Sequence, residues 1–292
     1  MTDRQAWGKS RRHERKVEAF YGQGVENITA DDFRGGYLSF GYWAGGETDY
    51  VEAAKHLVDQ MAMRLGMDGS SRLLDVACGM GAQDLRLMET VAPAAIEALD
   101  VTWSHVRATR ARAERAGWAH RVRSHHGTAT DLPFGGGTFT HVMSIEGPEH
   151  FDTREAFLRE AYRVLRPGGV MVLSDYLLVK DPKNLLERLL VEFVGWLWRV
   201  PRANHDTQER YRAKLERAGF KDISIACVGK DVIPGYYFSH AKPEERERIA
   251  KLRGWKTRLF GGLIDWGVHK TFTTGMVEYV FVRAVKDEKV KS

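Results

Sequence analysis

The sequence predicts an α/β fold in which an open, mostly parallel sheet carries helices on both faces. Three observations lead to this prediction. Short apolar runs alternate with helical patterns between residues 72 and 175, a glycine turn follows the first of these runs, and the composition is that of a globular protein, with 43% hydrophobic and 28% charged residues. Strands that alternate with helices favour parallel pairing, because each helix returns the chain across one face of the sheet.

Residues 1–69 precede the sheet and are predicted to form a helical cap. Thr48 or Asp49 is suited to cap a helix that ends at Leu65, because either side chain can accept a hydrogen bond from the first helical turn. The stretch 27–43 is rich in turn-forming and aromatic residues. Such a loop ahead of the first strand can close over a small ligand as a lid, and plain packing into the core is the alternative.

The first strand and the turn after it are the centre of the predicted sheet. Residues 72–77 form an apolar run typical of a buried parallel strand. Gly79 and Gly81 then allow a tight turn and the close approach of a ligand to the backbone. A helical pattern follows and packs back onto the sheet. Strand, turn and helix together predict a nucleotide-type pocket at the carboxyl end of the first strand.

Two carboxylates distinguish between classes of nucleotide. A dinucleotide-binding turn needs a small residue three positions after its second glycine, and Asp84 occupies that position. Asp100 follows the second predicted strand, 94–99, where a carboxylate can accept hydrogen bonds from both ribose hydroxyls. A ribose acceptor without a suitable pyrophosphate turn favours an adenosine cofactor that lacks phosphate. S-adenosylmethionine meets this description, whereas a dehydrogenase cofactor is disfavoured.

The following elements continue the alternation of helices and strands. Ser104 is predicted to cap a helix that Gly117 ends. Asp152 and Glu155 form a capping-box pattern for a helix that continues through Leu165. The remaining strands are predicted over 121–125, 139–145, 170–173, 223–228 and 276–282.

Beyond residue 180 the pattern changes to aromatic, helical segments. Residues 185–200 form an apolar helix that carries tryptophan, and Asp206 or Thr207 caps the next helix. The segments at about 180–215 and about 230–275 are interpreted as insertions near the C-terminal end that wall an acceptor pocket. Much of their apolar content also serves ordinary packing.

The order of these elements resembles the class I S-adenosylmethionine-dependent methyltransferases over most of the chain. Leu-Leu-Asp-Val-Ala-Cys-Gly-Met-Gly-Ala at 73–82 looks like their first motif, and Val-Leu-Arg-Pro-Gly-Gly at 164–169 looks like the turn before their fifth strand. Ser-Ile-Glu-Gly-Pro-Glu-His-Phe at 144–151 is similar to a segment of the tocopherol and sterol methyltransferases, the cyclopropane fatty acid synthases and bacterial natural-product methyltransferases. The resemblance implies a Rossmann-like, seven-stranded sheet in a methyltransferase domain over 70–292.

The resemblance also implies a set of cofactor-binding residues. These are Tyr21, Ser39, Asp75, Ala77, Gly79, Gly81, Asp100, Val101, Thr128, Ala129 and Ser144. Two of them depart from the family pattern. Ala77 stands where the first glycine of the motif is usual. Thr128 stands where an acid would contact the adenine amino group, and Asp131 lies nearby but out of register.

Three ionisable residues lie close together after the fourth strand: Glu146, Glu149 and His150. Methyl transfer is an in-line displacement, so the protein mainly has to align the acceptor with the methyl group and exclude water. A hydroxyl or amine acceptor needs a base. His150 is the first choice for this base with Asp175 as its partner, a pairing that the resemblance implies, and Glu146 is the second choice. A capping or surface role for each of the three stays open.

The predicted function is methylation of a small, largely apolar acceptor at oxygen, carbon or nitrogen, with S-adenosylmethionine as cofactor. Cyclopropane-type methylene transfer is disfavoured, because Phe40 and Asp175 replace a cysteine and a histidine of the bicarbonate site of those synthases. Nucleic-acid methylation, prompted by the basic N-terminal arm, and a non-catalytic cofactor-binding role are the alternatives. No nucleic-acid partner and no metal is expected.

Charge, cysteine content and hydropathy limit the partners and the compartment. The net charge of +5 permits an anionic partner without requiring one. Two cysteines, Cys78 and Cys227, are too few for a disulfide framework, and with no visible signal peptide they favour a cytoplasmic protein. The most apolar stretch, 185–198, is too short and too charged to span a bilayer. The sequence is compatible with a homo-oligomer.

Overall fold

The structure, a computed structural model, describes residues 11–22, 34–47, 49–253, 262 and 266–288. Within these residues the elements follow in the order α1 (Arg12–Gly22), α2 (Tyr50–Leu65), β1 (Arg72–Val76), α3 (Ala82–Thr90), β2 (Ala95–Asp100), α4 (Trp103–Arg115), β3 (Val122–His126), β4 (Phe139–Ile145), α5 (Arg154–Val164), β5 (Leu165–Leu178), α6 (Leu185–Leu197), α7 (Gln208–Ala218), β6 (Phe220–Cys227), α8 (Ile233–Ala241), α9 (Pro243–Arg253), α10 (266–273) and β7 (Val277–Lys286).

The described strands form one seven-stranded sheet in the order β3-β2-β1-β4-β5-β7-β6. Strands β1 to β5 pair in parallel, whereas β7 runs antiparallel to both β5 and β6. The strand order reverses between β1 and β4, so a crevice opens at their carboxyl ends, where open α/β sheets bind ligands. The predicted Rossmann-like fold is therefore confirmed.

Both faces of the sheet are covered, which is why the strand sequences are apolar on both sides. On one face, Leu57 and Met61 of α2 are fully buried in a cluster with residues of β1, β2 and β4. On the other face, Phe157 of α5 and Tyr211 of α7 are fully buried against the same sheet. The sheet thus forms the middle layer of a three-layer core.

The start of α2 confirms one of the predicted caps. The Asp49 carboxylate accepts hydrogen bonds from the backbone N–H groups of Val51 at 2.8 Å and Glu52 at 3.2 Å. The helix ends at Leu65, as predicted. The alternative cap, Thr48, lies outside the described residues.

Two other helices begin at different residues from those predicted. The α4 helix is preceded by Thr102 and not by Ser104. The cap of α5 is Thr153 and not Asp152, because the Thr153 hydroxyl accepts a hydrogen bond from the Ala156 N–H at 3.2 Å. Both differences are small shifts along correctly predicted helices.

The C-terminal part of the described chain contains most of the helices outside the sheet layers. Helix α6 lies in the first proposed insertion and helices α8, α9 and α10 lie in the second. Strand β7 extends beyond its predicted end, because it is hydrogen-bonded on both sides, to β5 and to β6. None of the described helices is both long enough and apolar enough to cross a lipid bilayer. The division into a cap and a catalytic domain at residue 70 stays a prediction.

Candidate active site

A cavity of about 670 Å³ lies at the carboxyl ends of β1, β2 and β4. The turn after β1 forms its floor. Its walls come from α1, from the loop at 38–40, from the turn after β4, and from helices α6, α8, α9 and α10. The cavity therefore lies in the crevice that the strand order creates, and it brings together residues from the whole described length of the chain.

The two glycines of the turn after β1 pack closely against neighbouring side chains. A Cβ atom on Gly79 would come within 3.2 Å of Leu38, and one on Gly81 would come within 2.7 Å of Thr109. Both glycines have left-handed backbone conformations, with φ of 56° and 78°. Ala77 is also left-handed, with φ of 65°. This explains why glycine is usual at that position, and the alanine costs about 1 kcal/mol there.

Asp100 is held rigidly at the edge of the cavity. Its carboxylate accepts hydrogen bonds from the backbone N–H groups of Gly79 at 2.9 Å and Thr102 at 2.7 Å. His105 Nδ1 lies 3.3 Å from the same carboxylate. These contacts fix an acceptor beside open space, at the place where a ribose would need one.

The predicted cofactor-binding residues divide into two groups. Those on the cavity wall are Tyr21, Ser39, Ala77, Gly79, Asp100, Val101, Thr128 and Ala129. The other three, Asp75, Gly81 and Ser144, are buried behind the wall and do not line the cavity. Cofactor contact by the residues of the second group stays a prediction.

Asp75 and Asp84 form a buried acid pair beneath the glycine turn. Both are fully buried, and the Gln83 side-chain amide donates a hydrogen bond to Asp75 at 2.6 Å. Burial raises the pKa of Asp75, and burial together with the neighbouring Asp75 raises the pKa of Asp84 well above its usual range. Burial and the neighbouring acid thus favour the neutral form of Asp84, which allows an acid to occupy this interior position.

Glu146 is tied to two distant parts of the chain. Its Oε1 atom accepts hydrogen bonds from the Phe40 N–H at 2.8 Å and from the Tyr279 hydroxyl at 2.9 Å. Its own N–H donates to the Ser174 hydroxyl at 3.0 Å. Burial raises the pKa of Glu146 to about 7, against the opposing effect of the two hydrogen bonds. The carboxyl group is thus divided between neutral and ionised forms near neutral pH.

His150 and Glu149 lie on the short 3₁₀ turn Pro148–His150 and both line the cavity. His150 Nε2 lies 2.7 Å from the Tyr21 hydroxyl and 3.8 Å from Glu149 Oε1. Burial lowers the pKa of His150 to about 4, and the nearby His13 adds to this effect. Burial also raises the pKa of Glu149 well above its usual range. At neutral pH the turn therefore presents a neutral imidazole beside a carboxyl group whose ionisation is disfavoured by burial.

Asp175 does not orient His150, and the predicted pairing of these two residues is wrong. Asp175 is fully buried and its carboxylate accepts hydrogen bonds from Arg154 Nε at 2.8 Å and Nη2 at 2.9 Å. Arg154 is itself fully buried and also donates to Asp206 at 2.7 Å. A buried guanidinium needs carboxylate partners, so it takes the group that was expected to serve the histidine. Tyr21 contacts the imidazole instead.

Asp175 is connected to the turn Pro148–His150 indirectly, through Arg154 and Asn204. The Arg154 backbone N–H donates to Asn204 Oδ1 at 2.9 Å. The Asn204 amide then donates to the backbone carbonyls of Glu149 at 3.0 Å and Phe151 at 2.7 Å. This chain of hydrogen bonds clamps the turn between β4 and α5.

Sequence reasoning missed several residues that build the site. Arg154, Asn204 and Tyr279 could not be found from local spacing; the bond from Tyr279 to Glu146, for example, joins positions 133 residues apart. Glu14 on α1 was also missed, although a signal existed. It lies three residues before Val17 and therefore on the same helical face, and both residues line the cavity.

The wall residues fit an adenosine-containing sulfonium cofactor. Gly79 adds no side chain to the floor, Asp100 offers a fixed acceptor, and Val101 and Ala129 offer apolar contact. Glu149 Oε2 is buried without a hydrogen-bond partner in the described structure, as expected for a site that awaits a ligand. In the part of the chain that is described, no three histidine, cysteine or acidic side chains are grouped to hold a metal ion.

Comparisons with known proteins define the class. A family model described as a methyltransferase domain matches residues 73–169. The chain is 37% identical over 218 residues to the erythromycin 3''-O-methyltransferase of Saccharopolyspora erythraea, with 70% of each chain covered. It is 34% identical over 209 residues to the 27-O-demethylrifamycin SV methyltransferase of Amycolatopsis mediterranei, with 70% of this chain and 74% of that protein covered.

A solved structure shows the same fold at low sequence identity. The geranyl diphosphate C-methyltransferase of Streptomyces coelicolor A3(2) matches with a TM-score of 0.76 and 16% identity, and the match covers 96% of this chain and 100% of that chain. Fold and site thus define a Rossmann-like methyltransferase. The chain belongs to the S-adenosylmethionine-dependent methyltransferases, as the sequence predicts, and S-adenosylmethionine is its cofactor. The relatives lend no support to nucleic-acid methylation or to a non-catalytic role.

Proposed function

We propose that this enzyme methylates a hydroxyl group of a largely apolar natural product, with His150 as the base. The observation that carries the proposal is a histidine on the cavity wall whose pKa is lowered to about 4 by burial and whose Nε2 contacts the Tyr21 hydroxyl at 2.7 Å. The two relatives above are named for erythromycin and demethylrifamycin, and both names specify an oxygen.

The cavity wall beyond the turn Pro148–His150 is suited to an apolar acceptor. Its apolar residues come from four helices, with Val194 of α6, Tyr236 of α8, Ile249 of α9 and Val268 of α10, and α9 also contributes the charged Arg246 and Glu247. Phe40 stacks on Tyr236 with ring centroids 3.7 Å apart. Such a wall binds ring-containing acceptors by burying their apolar surface. On this proposal, the segments at about 180–215 and 230–275 form the acceptor pocket.

The chain itself has to bind, align and deprotonate the acceptor. When bound, S-adenosylmethionine supplies an activated methyl carbon; Asp100, Val101 and Ala129 are placed to hold its adenosine. Nε2 of His150 accepts the hydroxyl proton, because the imidazole is unprotonated at physiological pH. The proton then resides on the His150 imidazole, which lies 2.7 Å from the Tyr21 hydroxyl and 3.8 Å from Glu149 Oε1. Glu146, with a pKa of about 7, is the second candidate for the base.

An acceptor screen with purified protein tests this function. Release of S-adenosylhomocysteine is measured with polyketide, terpenoid, indole and lipid alcohols, and the best acceptor is then used with variants. His150→Ala should lower kcat by about 10²–10⁴-fold with little change in the Kd for S-adenosylhomocysteine. His120→Ala, at an exposed position, is the matched control and should keep wild-type turnover.

The pH profile separates the two candidate bases. With His150 as the base, kcat is flat from about pH 6 to 9, because its pKa is about 4. A rise of kcat through pH 7 that Glu146→Gln abolishes would assign the base to Glu146 instead. If His150→Ala and Glu146→Gln both retain near wild-type turnover, neither residue is the base.

We also infer that α6 joins two copies of the chain. Its outer face is an exposed apolar stripe of Leu186, Leu189, Phe193 and Trp196, which are 77%, 54%, 57% and 63% exposed. These residues recur at intervals of three, four and three positions, the spacing of helices that pair through knobs-into-holes packing.

The stripe on α6 is self-complementary, which favours a second copy of the chain as its partner. In an antiparallel pair, Leu186 of one copy meets Trp196 of the other. Leu189 meets Phe193 in the same way. Two neighbouring leucines, Leu185 and Leu190, are also exposed and extend the apolar surface available to a second copy.

The cysteines support the proposal of a reducing, cytoplasmic setting. Both Cys78 and Cys227 are free thiols, and Cys227 is exposed. An exposed free thiol persists in a reducing compartment and is oxidised outside it. Burial raises the pKa of Cys78 well above its usual range, so this residue is an inert part of the glycine turn.

A further inference from the structure

Glu14 is a carboxylate in the first turn of α1 that faces the cavity. It is only 7% exposed and lines the cavity wall together with Val17 and Tyr21 of the same helix. Glu14 Oε1 accepts hydrogen bonds from the Thr128 hydroxyl at 3.4 Å and from Arg11 Nη1 at 3.2 Å. A carboxylate has about four acceptor positions, so these two long contacts leave it able to bind a further donor.

The position of Glu14 relative to Asp100 indicates what that donor is. Asp100 ends β2 and pairs with His126 at the end of β3, so the loops after these strands are one strand spacing, about 4.8 Å, apart. Thr128 and Ala129 belong to the loop after β3 and line the same cavity. A nucleoside whose ribose binds Asp100 has its base next to this loop, because the base is bonded directly to the ribose.

The chemistry of the purine ring gives the carboxylate a specific role. Adenine carries an exocyclic amino group, which only donates hydrogen bonds, where an oxo purine carries a carbonyl oxygen, which only accepts. A threonine hydroxyl does both and cannot distinguish the two, whereas an ionised carboxylate only accepts. Thr128 on the loop therefore does not select adenine, and Glu14 on the helix above it does.

We infer that Glu14 binds the exocyclic amino group of the cofactor's adenine and that the Thr128 hydroxyl holds the Glu14 carboxylate in place. The adenine acceptor thus comes from α1 and not from the sheet. Docking of α1 and binding of the cofactor therefore stabilise each other. This inference rests on the use of S-adenosylmethionine but is independent of the acceptor and of the base.

The test compares the binding of S-adenosylhomocysteine and S-inosylhomocysteine by isothermal titration calorimetry. The second ligand carries a carbonyl oxygen in place of the amino group and a proton on the adjacent ring nitrogen N1. Wild-type protein should bind the adenosine ligand about 30-fold more tightly. Glu14→Gln should reduce this ratio to a few-fold, because the amide can rotate to donate to the carbonyl. Glu14→Ala should raise the Kd for the adenosine ligand about 10-fold or more and leave the Kd for the inosine ligand nearly unchanged.

Asp131→Asn is the matched control for these variants. Asp131 pairs with the same Arg11 guanidinium at 3.0 Å, but its side chain is 70% exposed, so its removal should leave the ratio unchanged. A wild-type ratio in Glu14→Gln would overturn the inference. Equal weakening of both ligands in Glu14→Ala would also overturn it, because that result means that Glu14 only positions α1. Wild-type protein that binds neither ligand would refute the cofactor assignment, a separate outcome.

Discussion

At the scale of single residues, Glu146 couples the protonation of the site to the stability of the fold. Burial raises its pKa from an ordinary value of 4.5 to about 7, so the folded chain binds this proton more tightly than the unfolded chain does. The contribution of this proton to the free energy of unfolding is fully present below about pH 4.5. It is lost as the pH rises through about 7. Above that pH the fold carries a partly buried charge.

We therefore expect Glu146→Gln to remove this loss of stability. The amide oxygen can still accept the hydrogen bonds from Phe40 and Tyr279, and no charge develops. The difference in free energy of unfolding between variant and wild type should increase by about 2 kcal/mol when the pH is raised from 5 to 8.5. This corresponds to roughly 5 °C in Tm. Thermal unfolding at both pH values measures this, and comparison with wild type cancels the titration of other groups. An equal difference at both pH values would contradict the raised pKa.

Asp175 is expected to support the fold and not the proton transfer. Asp175→Asn leaves the fully buried Arg154 with one carboxylate partner fewer, so the free energy of unfolding should fall by about 3 kcal/mol, or roughly 8 °C in Tm. Its pH profile for kcat should keep the wild-type shape. A variant with wild-type Tm and a shifted profile would restore Asp175 as the partner of His150.

The control for Asp175→Asn is an ion pair of similar geometry at the surface. Asp181 accepts hydrogen bonds from Arg210 at 2.9 and 2.7 Å, but the two side chains are 67% and 43% exposed. Asp181→Asn should change the free energy of unfolding by less than about 1 kcal/mol. The contrast between the two variants isolates the effect of burial from that of the charge pair.

At the scale of secondary-structure elements, α6 has two different faces. Val191 and Val194 line the cavity, whereas the exposed stripe points away from it. We expect wild-type protein to sediment as a dimer at tens of micromolar and Leu189→Glu to sediment as a monomer. Met63→Glu, at a 66% exposed apolar residue of α2, should remain dimeric. A monomeric wild type in analytical ultracentrifugation would refute the role proposed for α6.

Strands and helices could largely be predicted from the sequence because their signals are local. The predicted strand 139–145 coincides with β4, and α2 ends at Leu65 as predicted. Helix starts were less accurate. At α5, for example, Asn204, 50 residues further along the chain, binds the first backbone N–H of the helix. A cap that depends on so distant a side chain leaves no pattern in the local sequence.

At the scale of the whole molecule, the cofactor half of the site was easier to predict than the catalytic half. The cofactor half depends on β1, its turn and the end of β2, which are contiguous or nearly so in the sequence. The catalytic half depends on bonds from Phe40 and Tyr279 to Glu146 and on the burial of Arg154. Arginine is usually found at the surface, so sequence patterns could not show that a buried Arg154 binds the Asp175 carboxylate.

The position of β7 has a consequence for synthesis on the ribosome. Tyr279, which holds Glu146, lies on a strand that inserts between two strands made earlier, β5 and β6. During translation, β1 to β5 can pair as they emerge, but β6 has no neighbour in the sheet until residues 277–286 leave the exit tunnel. At about 5–20 residues per second, the nascent chain waits several seconds with β5 as an open edge. The hydrogen bond from Tyr279 to Glu146 therefore forms late, after β7 has been made.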